Sequence, residues 1–192
     1  MSDAANAIMD AAERRIRKGG FNGFSFREIA VDVGVKSSSV HYHFPTKENL
    51  AAAVVRRYTQ RVAEQIEREL ATGEDPVKVW TRAFRGTLYS VDRMCPCAVM
   101  GAATGDLPPE VAVEVQRFFK MCLDKLVAEG LSSERAAELL ATITGALVVS
   151  NALNDLSNYD RATGELVKAI ESVRKPAEAP AKKTQAGGRR RA

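Results

Sequence analysis

The chain is 192 residues long, 45 % hydrophobic and 27 % charged, the make-up of a soluble protein with enough apolar side chain for a substantial core. That excludes a wholly disordered chain, a collagen-like fibre and a disulfide-stapled mini-protein, and no run approaches the ~18 apolar residues of a membrane span. The opening Met1-Ser2-Asp3-Ala4 has neither the cationic flank nor the apolar block of a secretory signal, so a cytoplasmic protein that does not engage a membrane is expected.

The net charge of +4 is unevenly spread. Residues 1–61 carry ten Lys/Arg against six Asp/Glu, 62–174 twelve against seventeen, and 175–192 six against one. A basic first third and a basic tail flank an acidic body, a distribution suited to a polyanion at the N-terminal end.

An opening helix over about 4–18 places Ile8, Ala11, Ala12 and Ile16 on one face and stops at Gly19-Gly20, the usual glycine punctuation. Phe21-Asn22-Gly23-Phe24 reads as a turn. Ser25-Phe26-Arg27-Glu28 has the form of a capping box, in which the serine hydroxyl serves an orphan amide and the glutamate reaches back. The helix it opens runs to Gly34. A second short helix spans about Ser37–His43, and Pro45 stops it. Thr46 caps a long helix from Lys47 to about Ala71, and Asp75-Pro76 starts another. A break at Met94-Cys95-Pro96-Cys97 precedes a short helix to Gly105. Pro108-Pro109 opens a helix ending near Gly130, Ser132 or Ser133 one ending near Leu156, and a last helix covers about Tyr159–Arg174. The expectation is an all-α fold of about nine helices, divided at 1–46, 47–174 and a solvated Pro/Ala/Gly/basic tail at 175–192.

Ala30, Gly34 and Val40 follow the spacing A-x3-G-x5-V. The small Ala30 admits a second helix, Gly34 takes positive φ in the turn, and Ile29, Val33, Val35 and Val40 bury the inner faces. On the second helix Val40 and Phe44 share a face, so Ser38 and Tyr42 point away with Ser39 and His41 on the flanks. A short polar helix beside cations suits the major groove.

The neighbouring residues sharpen this. Gly23-Phe24-Ser25-Phe26-Arg27-Glu28-Ile29-Ala30, Gly34-Val35 and Ser39-Val40-His41-Tyr42-His43-Phe44-Pro45-Thr46-Lys47-Glu48-Asn49-Leu50 resemble the DNA-binding domain of TetR-family transcriptional regulators, over about residues 4–57. His41 departs from the tyrosine common in the family. The resemblance implies a homodimer on a palindromic double-stranded operator, most often a repressor, released by a small-molecule effector bound in the body. Carried over by motif position, Ser25 and Arg27 touch backbone or base edges. Lys36, Ser37, Ser38, Ser39 and His41 lie along the recognition helix. Tyr42 and His43 meet phosphate, and Lys47 does so with help from its helix N-terminus. The plainer reading is that the aromatic residues pack the small domain, that the serines cap the helix and that Lys36 is solvated.

In the body, Trp80, Phe84 and Leu88 form an i, i+4, i+8 stripe, which is either core or the lining of an effector pocket with Met100, Phe118 and Cys122. The small residues Ala136, Ala137, Ala141, Thr142, Thr144, Gly145, Ala146 and Ser150 permit close helix approach, within the chain or across a four-helix dimer interface. Of the three cysteines, Cys97 is expected to open the short helix before Ala98-Val99-Met100, with Arg93 close in sequence, where a thiol can be acidified. It resembles in placement the sensory cysteine of some TetR-family regulators, which gives a thiol-sensing repressor as the alternative; a buried apolar cysteine is the plain reading. Cys95-Pro96-Cys97 is a poor metal site, because zinc takes four ligands and the two histidines lie in the head. The other class is a thiol-dependent enzyme using Cys95 and Cys97, but no cofactor loop, HExxH or nucleophile elbow accompanies them, so neither catalysis nor a cofactor is expected. The terminal Gly187-Gly188-Arg189-Arg190-Arg191 is either a basic arm or a solubilising end.

Overall fold

The computed structural model of the protein describes residues 2–89, 92 and 94–174. Over these residues the chain is all-helical: α1 Asp3–Gly19, α2 Phe26–Val33, α3 Ser37–His43, α4 Lys47–Leu70, α5 Pro76–Gly86, α6 Pro96–Gly101, α7 Pro109–Ala128, α8 Ser133–Leu153 and α9 Ser157–Arg174. The basic tail and Arg93 lie outside the described residues.

The helix boundaries follow their local chemistry. Ser2, Ser25, Thr46 and Ser132 each accept an amide of the first turn of their helix, and Asp75 accepts those of Val77 and Lys78, satisfying donors the helix itself leaves unpaired. Three expected boundaries differ. The helix opened by Ser132 stops at Leu153, three residues before the expected Leu156, because Asn154 adopts a left-handed conformation at φ 49°. Asp155 then accepts the Ser157 amide at 2.9 Å, so α9 begins two residues before the expected Tyr159. The short helix after the cysteines also ends early, at Gly101, and a separate 3-10 turn covers Thr104–Asp106.

In the N-terminal head, α1 buries Ile8, Ala11, Ala12 and Ile16 completely against Phe24, Ile29, Val40 and Leu50. Val33 and Val35, expected inside, are only partly buried, because the head is too small to cover both flanks of its turn. Across the head's surface Arg15 grips α2: its Nε and Nη2 donate to Asp32 at 2.6 and 3.0 Å, and Nη1 donates to Glu28 at 2.9 Å.

The 24-residue α4, about 36 Å long at ~1.5 Å per residue, carries the head into the body. It runs parallel to α7: Asn49 bonds Glu110, Arg56 pairs with Glu114 and Lys125 with Glu67, so the partners advance together along both helices. Between them the Tyr58 and Phe118 rings lie 5.5 Å apart. Helix α6 wedges between α1 and α7. At Gly101 a Cβ would meet the Phe119 ring at 3.1 Å, so a larger residue would require that ring to shift by a few tenths of an ångström. Helix α5 packs on the α8–α9 pair, fixed by Tyr159 Oη donating to the Thr81 carbonyl at 2.8 Å and by Arg85 on Asp160.

Candidate nucleic-acid interface

Helices α2 and α3 meet at Gly34, which takes φ 73° and donates its amide back to the end of α2. Such a left-handed stop costs a residue with a Cβ about 1–2 kcal/mol. The tight turn lays α3 across α2 with Val40 fully buried and Phe44 nearly so. Everything opposite those two anchors faces outward. Tyr42 is 84 % exposed, and Lys36, Ser37, Ser38 and His41 are exposed beside it, with Ser39 and His43 half-buried on the flanks. A seven-residue helix carrying hydroxyls, imidazoles and a phenol on its free side has the width and polarity for a major groove.

The ring contacts of α3 orient this face. His41 packs edge-on against Phe26 of α2, centroids 4.6 Å apart, and Tyr42 against His43 at 5.1 Å. His41, which replaces the familiar tyrosine, is therefore braced by the preceding helix while its outer edge stays open. Arg27 is exposed on the first turn of α2. Ser25 is engaged locally: it accepts the Glu28 amide at 3.4 Å and donates to Glu28 Oε2 at 2.8 Å. The Ser25 hydrogen bond, followed by the nearby Arg15 charge, holds Glu28 below the usual carboxylate range, and the Arg15 hydrogen bond does the same for Asp32. Both acids stay charged and locked on Arg15, away from an approaching phosphate. Lys47 begins α4, its ammonium 4.6 Å from the Phe21 ring centre and 4.9 Å from that of Phe24, a cation over two ring faces at a helix N-terminus.

The sequence reading did not find the Arg15 fork, although Glu28 and Asp32 stand four apart on one face of α2 and so signal a shared cationic partner. It also missed the join between head and body. There Glu13 of α1 is nearly buried among Arg17, Arg57 and Arg61, at 2.7, 3.4 and 2.6 Å. Burial pushes this carboxyl up, but the hydrogen bonds and charges of Arg61 and Arg17 outweigh it and hold it below its ordinary value. Arg17 also donates to the Met94 carbonyl at 2.6 Å, just ahead of α6.

The body residues singled out as pocket lining, Trp80, Phe84, Leu88, Met100, Phe118 and Cys122, are all buried in the continuous core; Phe84 reaches the wall of a cleft beside α1. The Trp80 indole nitrogen is buried without a hydrogen-bond partner. Helix α6 starts with Cys95 as its cap, not with Cys97. Cys97 is fully buried, and burial with the adjoining Cys95 pushes its thiol well above the usual range. Cys95 is buried too; hydrogen bonds from Cys97, Tyr58 and the first amides of α6 outweigh its burial and lower it to about 7. Among the described residues no helix is long and apolar enough to cross a membrane.

The profile of the family described as "Bacterial regulatory proteins, tetR family" matches residues 8–54, the three helices of the head and the first turns of α4. HTH-type transcriptional regulator LmrA of Bacillus subtilis (strain 168) is 26 % identical over 167 residues, spanning 81 % of this chain and 87 % of its own. Among solved structures, a TetR-family transcriptional regulator from Agrobacterium tumefaciens is 26 % identical and superposes with a TM-score of 0.82 over 87 % of this chain and 97 % of its own. A TetR transcriptional regulator from Legionella pneumophila, 24 % identical, shares the fold at a TM-score of 0.80 over 88 % of this chain and 98 % of its own. The head thus carries the DNA-binding domain of the TetR family, on a body that shares the helical plan of TetR-family transcriptional regulators.

Proposed function

We propose that the protein is a homodimeric repressor that holds a palindromic operator with two α3 helices and lets go when a small-molecule effector binds its body. The observation that carries this reading is the division of α3: Val40 and Phe44 are sunk in the head, while the opposite face, led by Tyr42, is free of the protein. Base edges are read by Lys36, Ser37, Ser38, Ser39 and His41. Tyr42, His43, Arg27 and Lys47 take phosphates, and Ser25 sets the start of α2.

The dimer face is supported by α8. Of its small residues, Ala136, Ala146 and Ser150 are buried within the chain, whereas Ala137, Ala141 and Gly145 face outward in line with exposed Val148, Val149 and Leu153. Such an apolar stripe fits a second copy related by a two-fold axis. Two heads so joined meet half-sites about one helical turn, ~34 Å, apart. The thiol-sensing alternative at Cys97 is not favoured, since that thiol is buried and held protonated.

Binding of the purified protein to the DNA upstream of its own gene, against random DNA over a series of salt concentrations, tests the reading. Selective binding that weakens steeply with salt is expected; equal affinity for both DNAs overturns it.

A further inference from the structure

Beside the crossing of α1 and α4, a cleft of about 260 Å³ opens toward α5, with Arg17, Tyr58, Arg61, Val62, Gln65 and Phe84 in its walls, just below the ~300–1,000 Å³ of small-molecule sites. Its walls are of two kinds. Val62, Ala83 and Phe84 are apolar, and Arg17 and Arg61 are cationic. Both guanidinium carbons stand 5.3 Å from the centre of the Tyr58 ring, so two like charges are held near one another against a single aromatic side chain.

The charges around this cleft do not balance. Arg17, Arg57 and Arg61 converge on Glu13, and Asp10 adds only one more carboxylate, 2.7 Å from Arg57, leaving one positive charge in excess. Arg17 has its donors committed to Glu13 and the Met94 carbonyl. Arg61 does not. Its Nη2 donates to Glu13, its side chain is 48 % exposed, and its other N–H groups have no partner among the described residues. An uncommitted guanidinium edge in a partly desolvated cleft is a carboxylate receptor.

We propose that this cleft binds a small amphiphilic organic anion, its carboxylate on Arg61 and Gln65 and its apolar end on Val62, Ala83 and Phe84. The proposal deepens the repressor reading and, as a site for the effector, rests on it. Arg61 and Gln65 belong to α4 and Phe84 to α5, while Arg61 also donates to Glu13 of α1, so an anion that draws on the same guanidinium makes contacts that depend on how α1 lies against the body. A ligand with such differential contacts shifts the orientation of the head.

The test is calorimetric titration of the full chain without DNA, using hexanoate, hexanamide and acetate, so that failure leaves the operator-binding reading untouched. Hexanoate is expected to bind, with hexanamide and acetate each at least about tenfold weaker, which is about 1.4 kcal/mol. Arg61→Gln should weaken hexanoate by a similar factor. Gly86→Asp provides a second variant: a Cβ there meets nothing within 4 Å, and the carboxylate repels anions from the rim without touching an arginine. Three outcomes overturn the proposal: no heat of hexanoate binding to about 10 mM, well past millimolar affinity; equal binding of hexanoate and hexanamide; or undiminished binding by both variants.

Discussion

Tyr42 and Gly34 show how differently single positions weigh in one head. Tyr42 is almost fully exposed and makes one ring contact, with His43. Tyr42→Ala should therefore leave the melting temperature unchanged while lowering operator affinity about tenfold, as expected for a lost phosphate contact worth ~1 kcal/mol or somewhat more; a gel-shift titration beside a thermal melt reads both. Gly34 has open space around it but sits at φ 73°. Gly34→Ala should cost about 1–2 kcal/mol through the backbone alone, seen as a lower urea midpoint. Residues of this kind were legible in the sequence, because a turn glycine and an anchor such as Val40 announce themselves by spacing. The fork of Arg15 was less so, since its partners lie 13 and 17 residues away and nothing local fixes which cation two surface carboxylates will choose.

The helices themselves were read almost to the residue wherever a cap or proline marked an end, as at Thr46, Asp75 and Ser132. The failure at α8 is instructive: apolar periodicity continues through Leu156, so only the left-handed Asn154 breaks the helix, and asparagine is ambiguous between helix interior and stop. The join of α1 to α4 escaped sequence reading altogether, because Arg57 and Arg61 stand 44 and 48 residues from Glu13. Glu13→Gln should destabilise the protein by about 2 kcal/mol at neutral pH, the scale of hydrogen bonds to a charged group. Since the folded carboxyl titrates below its ordinary 4.5, its contribution is complete above pH 4.5 and fades as pH falls through the lower folded value. Stability curves of the wild-type and Glu13→Gln proteins should accordingly converge in acid; a constant gap down to the acid transition would contradict this account.

For the molecule as a whole, α4 is the beam on which both ends depend. Its first turns close the head, its middle carries Arg57, Tyr58 and Arg61, and its length lies against α7. In the proposed dimer both heads are held at operator pitch, so the outward face of α8 would bear on DNA binding from a distance. Val149→Glu with Leu153→Glu, both exposed in the single chain, should leave helicity intact yet shift sedimentation from dimer to monomer and reduce operator affinity by at least about a hundredfold, as one head loses its tethered partner.

The protein has one tryptophan, and Trp80 lies wholly inside the body with its ring 6.2 Å from that of Phe84. The reading head, by contrast, has none. Ultraviolet emission from the indole therefore comes from a built-in optical probe that lies in α5, outside the head, and one ring away from the cleft beside α4 and α5. Events at the two ends of the molecule can be followed in separate colours without attaching a dye to the body: labelled DNA for one, native luminescence for the other.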